Sequence, residues 1–315
     1  MASFWKLLPK PFLVLAPMDD VTDVVFRQVV SETCTPHVFF TEFVSSDGLN
    51  SIGRERVMKK LKYTQNQKPI VAQIWGSNPE NIYNAAKLIS ELGFDGVDIN
   101  MGCPVKDVVK KGSGAGTIGN YDLAKKIIAA AKKGAKGISV SVKTRLGINN
   151  VISHEWIPFL LEQKLDALTL HARTAKQLSK GQADWSEIGK AVILRDKICP
   201  ETMIIGNGDI KDYKTVMQMY DTYHVDGVMI GRGVFSNPWV FEKTQNPTVH
   251  TKKEYIDMLV RHMDLFDETW GETKNFAILK KFFKMYINNF KGASLLRQQL
   301  MECKNSFEVK QIFNP

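Results

Sequence analysis

Eight short runs dominated by Val, Ile and Leu recur along the first three quarters of the chain, and this alternation limits the fold more than any other feature. They span residues 13–18, 38–44, 69–76, 96–100, 138–145, 167–171, 203–207 and 227–231, separated by stretches of helical length and pattern. Such continuously apolar runs suit strands buried on both faces, as in a parallel sheet with helical crossovers. Several of the intervening segments carry helix signals. Asn78-Pro79 reads as a cap and first turn with Gly93 closing the helix, while Asn120 opens a helix over 121–133 that Gly134 closes. Eight βα units within about 240 residues predict an α/β fold, a closed (β/α)₈ TIM barrel. Unusual residues gather at the C-terminal ends of the runs, where such barrels carry their sites: Pro17-Met18, Gln73, Asn100 to Cys103, Lys143, Arg145, His171, Arg173, Asn207 to Asp209 and Gly231-Arg232.

After Gly233 the strand pattern stops, and from about Thr251 the chain reads as helices alone. We place a boundary near Asn246-Pro247, giving a catalytic barrel over 1–246 and a small all-helical domain over 247–315. On a wheel of 100° per residue, Phe276, Leu279, Phe282, Phe283, Tyr286, Ile287 and Phe290 share one arc, and Lys280, Lys284 and Lys291 the neighbouring one. The chain carries a net charge of +9, and its last 43 residues hold eight basic and two acidic side chains, two thirds of that excess. A charged helix face usually serves only solvation. This concentration beside a catalytic barrel points instead to a polyanion.

Composition excludes other classes. At 44% hydrophobic and 24% charged residues the chain is an ordinary globular protein. Cys34, Cys103, Cys199 and Cys303 are scattered, without the spacing of a zinc cage, so no metal is expected and the thiols read as reduced and cytoplasmic. The opening residues are too interrupted by Pro9, Lys10 and Pro11 for a signal peptide or anchor, and no stretch approaches a membrane span. A cytoplasmic monomer is the expectation.

The seventh run ends in Gly206-Asn207-Gly208-Asp209-Ile210 and the eighth in Gly231-Arg232-Gly233. Glycine loops after strands seven and eight of a barrel suit a cofactor phosphate; the alternative is that they only make turns. A second pattern, Gly114-x-Gly116-x-x-Gly119, follows no strand and has no acidic residue about 20 positions on, which argues against a dinucleotide fold. Cys103, between Gly102 and Pro104 and close to Asn100, lies on the loop leaving the fourth run. It reads either as a proton donor or nucleophile at the barrel mouth, or as a small buried hydrophobe.

The segment D-I-N-M-G-C-P-V-K-D-V-V-K-K-G-S-G-A-G (Asp98 to Gly116) resembles the signature of the tRNA-dihydrouridine synthases, flavin enzymes of the (β/α)₈ class with a C-terminal helical domain. Matching blocks follow in order: Ala16-Pro17-Met18 with Val21-Thr22-Asp23, Val71-Ala72-Gln73, Ser141 to Arg145, Leu170 to Thr174, Gly206 to Ile210, and Ile230 to Gly233. The resemblance implies FMN on the barrel mouth, with Pro17, Met18, Asp19 and Gln73 along its ring. It places Lys143 at the N1/O2 side, His171 nearby, and Asn207, Gly208, Asp209, Gly231 and Arg232 at the phosphate. It further implies reduction of the C5=C6 bond of a uridine in tRNA, with a proton from Cys103 to C5, the base held by Asn100, Arg145 and Arg173, and NADPH as transient reductant. An ordinary, protonated Cys103 thiol suits that role. Lys280, Lys284 and Lys291 would meet the RNA.

Two positions depart from the family. Asp20 stands where glycine is usual, and Ser179 where an aromatic residue is common, which bears on how the uridine is gripped. Two other readings stay open: an FMN barrel acting on free pyrimidines or another RNA, and a non-catalytic RNA-binding regulator.

Overall fold

A computed structural model describes residues 3–288 and 290–313. Seven of the eight apolar runs each form one parallel strand: β1 (Phe12–Leu15), β4 (Ile70–Trp75), β5 (Gly96–Met101), β6 (Ser139–Arg145), β7 (Ala167–His171), β8 (Met203–Asn207) and β9 (Gly227–Ile230). The second run is split into β2 (Phe39–Phe40) and β3 (Val44–Ser45), both paired with β4. Thr41 explains the break. Its hydroxyl accepts the Gln73 N–H at 3.2 Å, so a side chain stands in for one rung of the ladder. The sheet runs β1-β9-β8-β7-β6-β5-β4-β2, and a Val14–Val38 bridge brings its two edges together into a barrel. The expected TIM-barrel architecture is therefore observed, with C-terminal helices after it.

The alternating helices follow their sequence signals. Asn78 accepts from the Glu80 N–H at 2.9 Å and opens Pro79–Glu91, and Asn120 accepts from Leu123 at 3.2 Å and opens Tyr121–Gly134. Gly134 has a different task from the expected one. It is the last residue of its helix, where a Cβ would lie 2.3 Å from the Tyr83 carbonyl oxygen, so glycine permits the close approach of these two helices. At the other end of the barrel, Trp5 is fully buried against Phe12 and Phe40 and donates to Ser139 Oγ at 2.7 Å. The apolar opening residues thus plug the floor of the barrel.

In the tail, the single amphipathic helix expected over 274–291 is not formed. A 3₁₀ helix covers Phe276–Phe282, a short α-helix covers Phe283–Tyr286, and another helix covers Ala293–Glu302. Phe276, Leu279 and Phe282 are three apart, and a three-residue turn stacks such positions on one ridge, which a 100° wheel blurs. The apolar residues still point inward: Leu279, Phe282, Phe283, Tyr286 and Ile287 are buried. Phe282 stacks on Phe26 of the barrel helix Val24–Thr33 with ring centroids 5.2 Å apart, so the barrel and tail share apolar packing. Among the described residues, no helix is long and apolar enough to cross a membrane.

Gly134→Ala would gain about 1 kcal/mol of helix propensity in an isolated helix. Against the Tyr83 carbonyl we expect a net loss of about 1–3 kcal/mol instead, read by urea unfolding. A neutral or stabilised variant would contradict the packing described here.

Candidate functional site

Because every strand is parallel, the strand ends that carry unusual residues open on one face. A cavity of about 430 Å³ lies there, with Pro17 and Met18 after β1, Lys143 and Arg145 on β6, His171 and Arg173 at β7, Asn207, Gly208 and Asp209 after β8, and Gly231 and Arg232 after β9. Ser179 also lines it. The Met18 N–H donates to Thr22 Oγ1 at 2.9 Å and the Thr22 N–H to the Met18 carbonyl at 3.0 Å, which closes the Pro17-Met18 loop on itself. Asp20 has φ 55, a left-handed conformation that explains why glycine is usual there. Its N–H donates to Glu42 at 2.8 Å.

The phosphate loops have the required character. Gly208 and Asp209 have φ of 138 and 55, and the N–H groups of Gly208, Asp209, Gly231 and Arg232 donate no bond to another main-chain group among the described residues. Unused N–H groups converging on a cavity suit an anion. Asn207 donates to the Met229 carbonyl at 2.8 Å, tying the two loops together. Arg232 reaches the Ser179 carbonyl at 3.4 Å.

Beside the cavity, Asn100 organises the Cys103 loop. Its Oδ1 accepts the N–H groups of Gly102 at 3.0 Å and Cys103 at 2.8 Å. The carbonyls of that loop are held from the other side, Gly102 by Arg145 Nε at 2.7 Å and Cys103 by the Ala115 N–H at 2.9 Å. The Gly114-x-Gly116 segment therefore packs under the cysteine loop: a Cβ on Gly114 would lie 2.8 Å from the Cys103 carbonyl oxygen. Cys103 is 8% exposed, and burial raises its thiol above the ordinary value, so it is protonated at neutral pH. Burial, joined by Arg145 and opposed by Asp98, lowers Lys143 to about 8. Burial and then Lys143, Arg145, Arg173 and Arg232 hold His171 far below its usual range, so its imidazole is neutral.

Some expected residues are engaged elsewhere. Arg173, 1% exposed, meets both Asp209 carboxylate oxygens at 2.6 Å, the Gly181 carbonyl at 2.7 Å and His171 Nε2 at 3.2 Å, which leaves little of the guanidinium for a base. Arg145 is similarly bound to the Thr174 carbonyl at 3.1 Å and the Leu178 carbonyl at 2.8 Å. Both arginines frame the cavity more than they reach into it. Asp19 is not among the residues lining the cavity, and its carboxylate pairs with Lys60. Asp19, Asp20 and Glu42 form an acidic cluster, but the Lys60 ammonium sits among the three. In the tail, Lys280 donates to the Met301 carbonyl at 2.5 Å, whereas Lys284 and Lys291 are exposed.

Asp98 and Ser141 had no role assigned from the sequence. The signal was present in the spacing: Asp98-x-Asn100 and Ser141-x-Lys143 each put two side chains on one face of a strand.

The dihydrouridine synthase family model matches residues 14–314. A probable tRNA-dihydrouridine synthase 2 of Bacillus subtilis is 46% identical, covering 99% of this chain and 96% of its own. A probable tRNA-dihydrouridine synthase of Staphylococcus aureus is 44% identical, covering 99% and 95%. Among solved structures, a histamine dehydrogenase from a Rhizobium species is 12% identical with a TM-score of 0.54, covering 80% of this chain and 48% of that one, a likeness of fold alone.

The Arg173–Asp209 pair yields a prediction. Burial acts to raise Asp209, but the Arg173 bonds and charge and the Ala183 N–H hold it below 3.8. A depressed carboxylate contributes stability above its unfolded pKa and loses it as pH falls through the folded value. Arg173→Ala should cost about 2 kcal/mol near neutrality, reduced from the usual 3–5 because Asp209 is partly exposed. In denaturant titrations the gap from wild type should shrink as pH falls below 3.8. A gap independent of acid would exclude the ion pair as its source.

Proposed function

This chain belongs to the dihydrouridine synthase family, and from that premise we propose that it reduces the C5=C6 bond of uridines in tRNA, using FMN with NADPH as reductant, in the cytoplasm. The observation that carries this reading is the convergence, on one barrel mouth, of unused loop N–H groups, a buried lysine and a protonated thiol.

The residues fit FMN. The amides of Gly208, Asp209, Gly231 and Arg232, with the Arg232 side chain, suit its phosphate, while Pro17, Met18 and Met229 offer apolar surface to a ring. Lys143 supplies the cation that an anionic reduced ring needs. When bound, the flavin would supply hydride to C6 of the uracil. Cys103 then delivers the proton to C5: its thiol is protonated at neutral pH, and its loop is gripped from both sides by Asn100 and by Arg145 and Ala115. Neutral His171 adds a hydrogen-bonding group without adding another cation to Lys143, Arg145 and Arg173. Asn100 has one N–H left for a uracil carbonyl, since Oδ1 and the other N–H are in use. Arg145 and Arg173 shape the wall rather than clasp the base. Ser179 leaves room where a larger side chain is common, which bears on which uridine enters.

Residues 247–315 serve, in this reading, as the RNA-binding unit, docked through Phe282 and through Trp270 and Lys274, which reach Asp23 at 3.1 and 2.8 Å. Lys284 and Lys291, exposed and without an ion pair among the described residues, are offered to the phosphate backbone, and Lys280 supports the tail itself. A uridine must leave its stack to reach the mouth, at a cost of a few kcal/mol that is least in flexible loops.

The purified protein should be yellow and should form dihydrouridine in tRNA when given NADPH, with free uracil a poor substrate. A colourless protein that takes up no flavin would refute the cofactor. Cys103→Ala should retain flavin and NADPH oxidation while product formation drops by about 10²–10⁴-fold, the usual range for a general acid. Full product formation in that variant would remove the proton-donor role. Replacing Lys284 and Lys291 by Gln should lower the salt slope of tRNA binding by about one per lysine. An unchanged slope would leave these lysines as a solvated surface.

A further inference from the structure

Asp98 is fully buried beside the mouth, and nothing in the chemistry above uses it. Its neighbours follow from the sheet register. Gln73 on β4 and Ser141 on β6 are its ladder partners, and Asn100, two residues further along β5, is the partner of Lys143. Registered residues and residues two apart on a strand face the same side, so these side chains form one layer inside the barrel.

The hydrogen bonds in that layer have a direction. An ionised carboxylate only accepts, whereas an amide side chain can turn over and exchange donor for acceptor. Asp98 accepts from Ser141 Oγ at 2.6 Å and from Gln73 Nε2 at 2.7 Å. With Nε2 turned to the carboxylate, Gln73 Oε1 faces Asn100 and accepts from Nδ2 at 2.9 Å. Asn100 must then present Oδ1 to the N–H groups of Gly102 and Cys103. Each link permits one orientation of the next. Without the carboxylate nothing holds Gln73 Nε2, so Gln73 is free to turn and set Nε2 against Asn100 Nδ2, whose Oδ1 the Gly102 and Cys103 N–H groups hold from the other side. That conflict would fall on the thiol-bearing loop. Ser141 adds no constraint, because a hydroxyl can donate or accept.

We propose that Asp98 is a positioning residue: by accepting from Gln73 it fixes the direction of a Gln73–Asn100 relay and so places the Cys103 loop. The role in turnover rests on Cys103 being the proton donor, whereas the placement of the loop does not. Burial raises Asp98 to about 6 against the pull of Ser141, Gln73 and Lys143, which leaves it mainly ionised at neutral pH.

Asp98→Ala and Asp98→Asn separate polarity from charge. Asparagine can offer an acceptor to Gln73 and its amide N–H to Ser141, the one orientation in which Gln73 and Asn100 both stay paired, since the reverse sets Gln73 Nε2 against Asn100 Nδ2; alanine offers no acceptor at all. The first readout is the rate at which iodoacetamide alkylates Cys103 in flavin-free full-length protein, followed by peptide mass. The second is single-turnover transfer from NADPH-reduced enzyme to transcribed tRNA. Asp98→Ala should change the alkylation rate by about tenfold and slow transfer by up to about 10²-fold, as a misplaced catalytic group does. Asp98→Asn should stay within about threefold of wild type on both, the effect of a modest change in one hydrogen bond. Wild-type alkylation in a folded Asp98→Ala protein overturns the proposal, as does an Asp98→Asn protein as impaired as the alanine variant. Should Asp98→Ala not fold, Asp98→Ser takes its place, since its shorter side chain withdraws the acceptor from Gln73, and the same loosening is expected. If wild-type enzyme forms no dihydrouridine, the functional reading fails, and the alkylation rates still decide the relay.

Discussion

Parallel register is the constraint on which the rest of the site depends. Every barrel strand runs the same way, and each is paired residue for residue with the next from β4 through β9 and back to β1. Side chains at the strand ends are therefore delivered to one mouth, at heights set by the ladder. Asp98 meets Gln73 and Ser141 because they are register partners, and Asn100 stands beside Lys143 for the same reason. A slip of one residue on β5 would turn Asp98 and Asn100 out of the barrel together and leave the Cys103 amide without its acceptor.

The first loop is held by the same economy of groups. Asp23 caps the helix Val24–Thr33 through one carboxylate oxygen and receives Trp270 and Lys274 of the tail on the other. Lys281 donates to the Asp20 carbonyl in that loop. The segment offering Pro17 and Met18 to the cavity is thus fixed from the barrel by Thr22 and from the tail by Lys274 and Lys281. In the proposed function, RNA bound to the tail would therefore bear directly on the loop at the mouth.

Much of this was legible in the sequence, and the gaps have physical causes. Continuous Val and Ile runs announce parallel strands because both faces are buried, and seven runs matched one strand each. The split of the second came from Thr41 replacing a rung with its hydroxyl, a substitution no hydropathy pattern records. The 3₁₀ turn over Phe276–Phe282 was hidden because residues three apart are neighbours on an α-helix as well as on a 3₁₀ helix. Residue type pointed to Lys143, His171 and the glycine loops around the mouth. It could not tell that Arg173 is taken up by Asp209 and Gly181, or that Asp19 turns to Lys60, since partners distant in sequence decide where a long side chain points. Gly114 and Gly116 read as a nucleotide motif to be rejected, and their task is close packing, Gly114 beneath Cys103 and Gly116 against the Val109 main chain.

In the proposed function this barrel mouth reduces uridines within tRNA. Mapping dihydrouridine across all RNA from cells with and without the gene tests it most directly. Dihydrouridine should disappear from discrete tRNA positions in the deletion and return with the wild-type gene but not with Cys103→Ala. An unchanged map, or full restoration by the alanine variant, would contradict it.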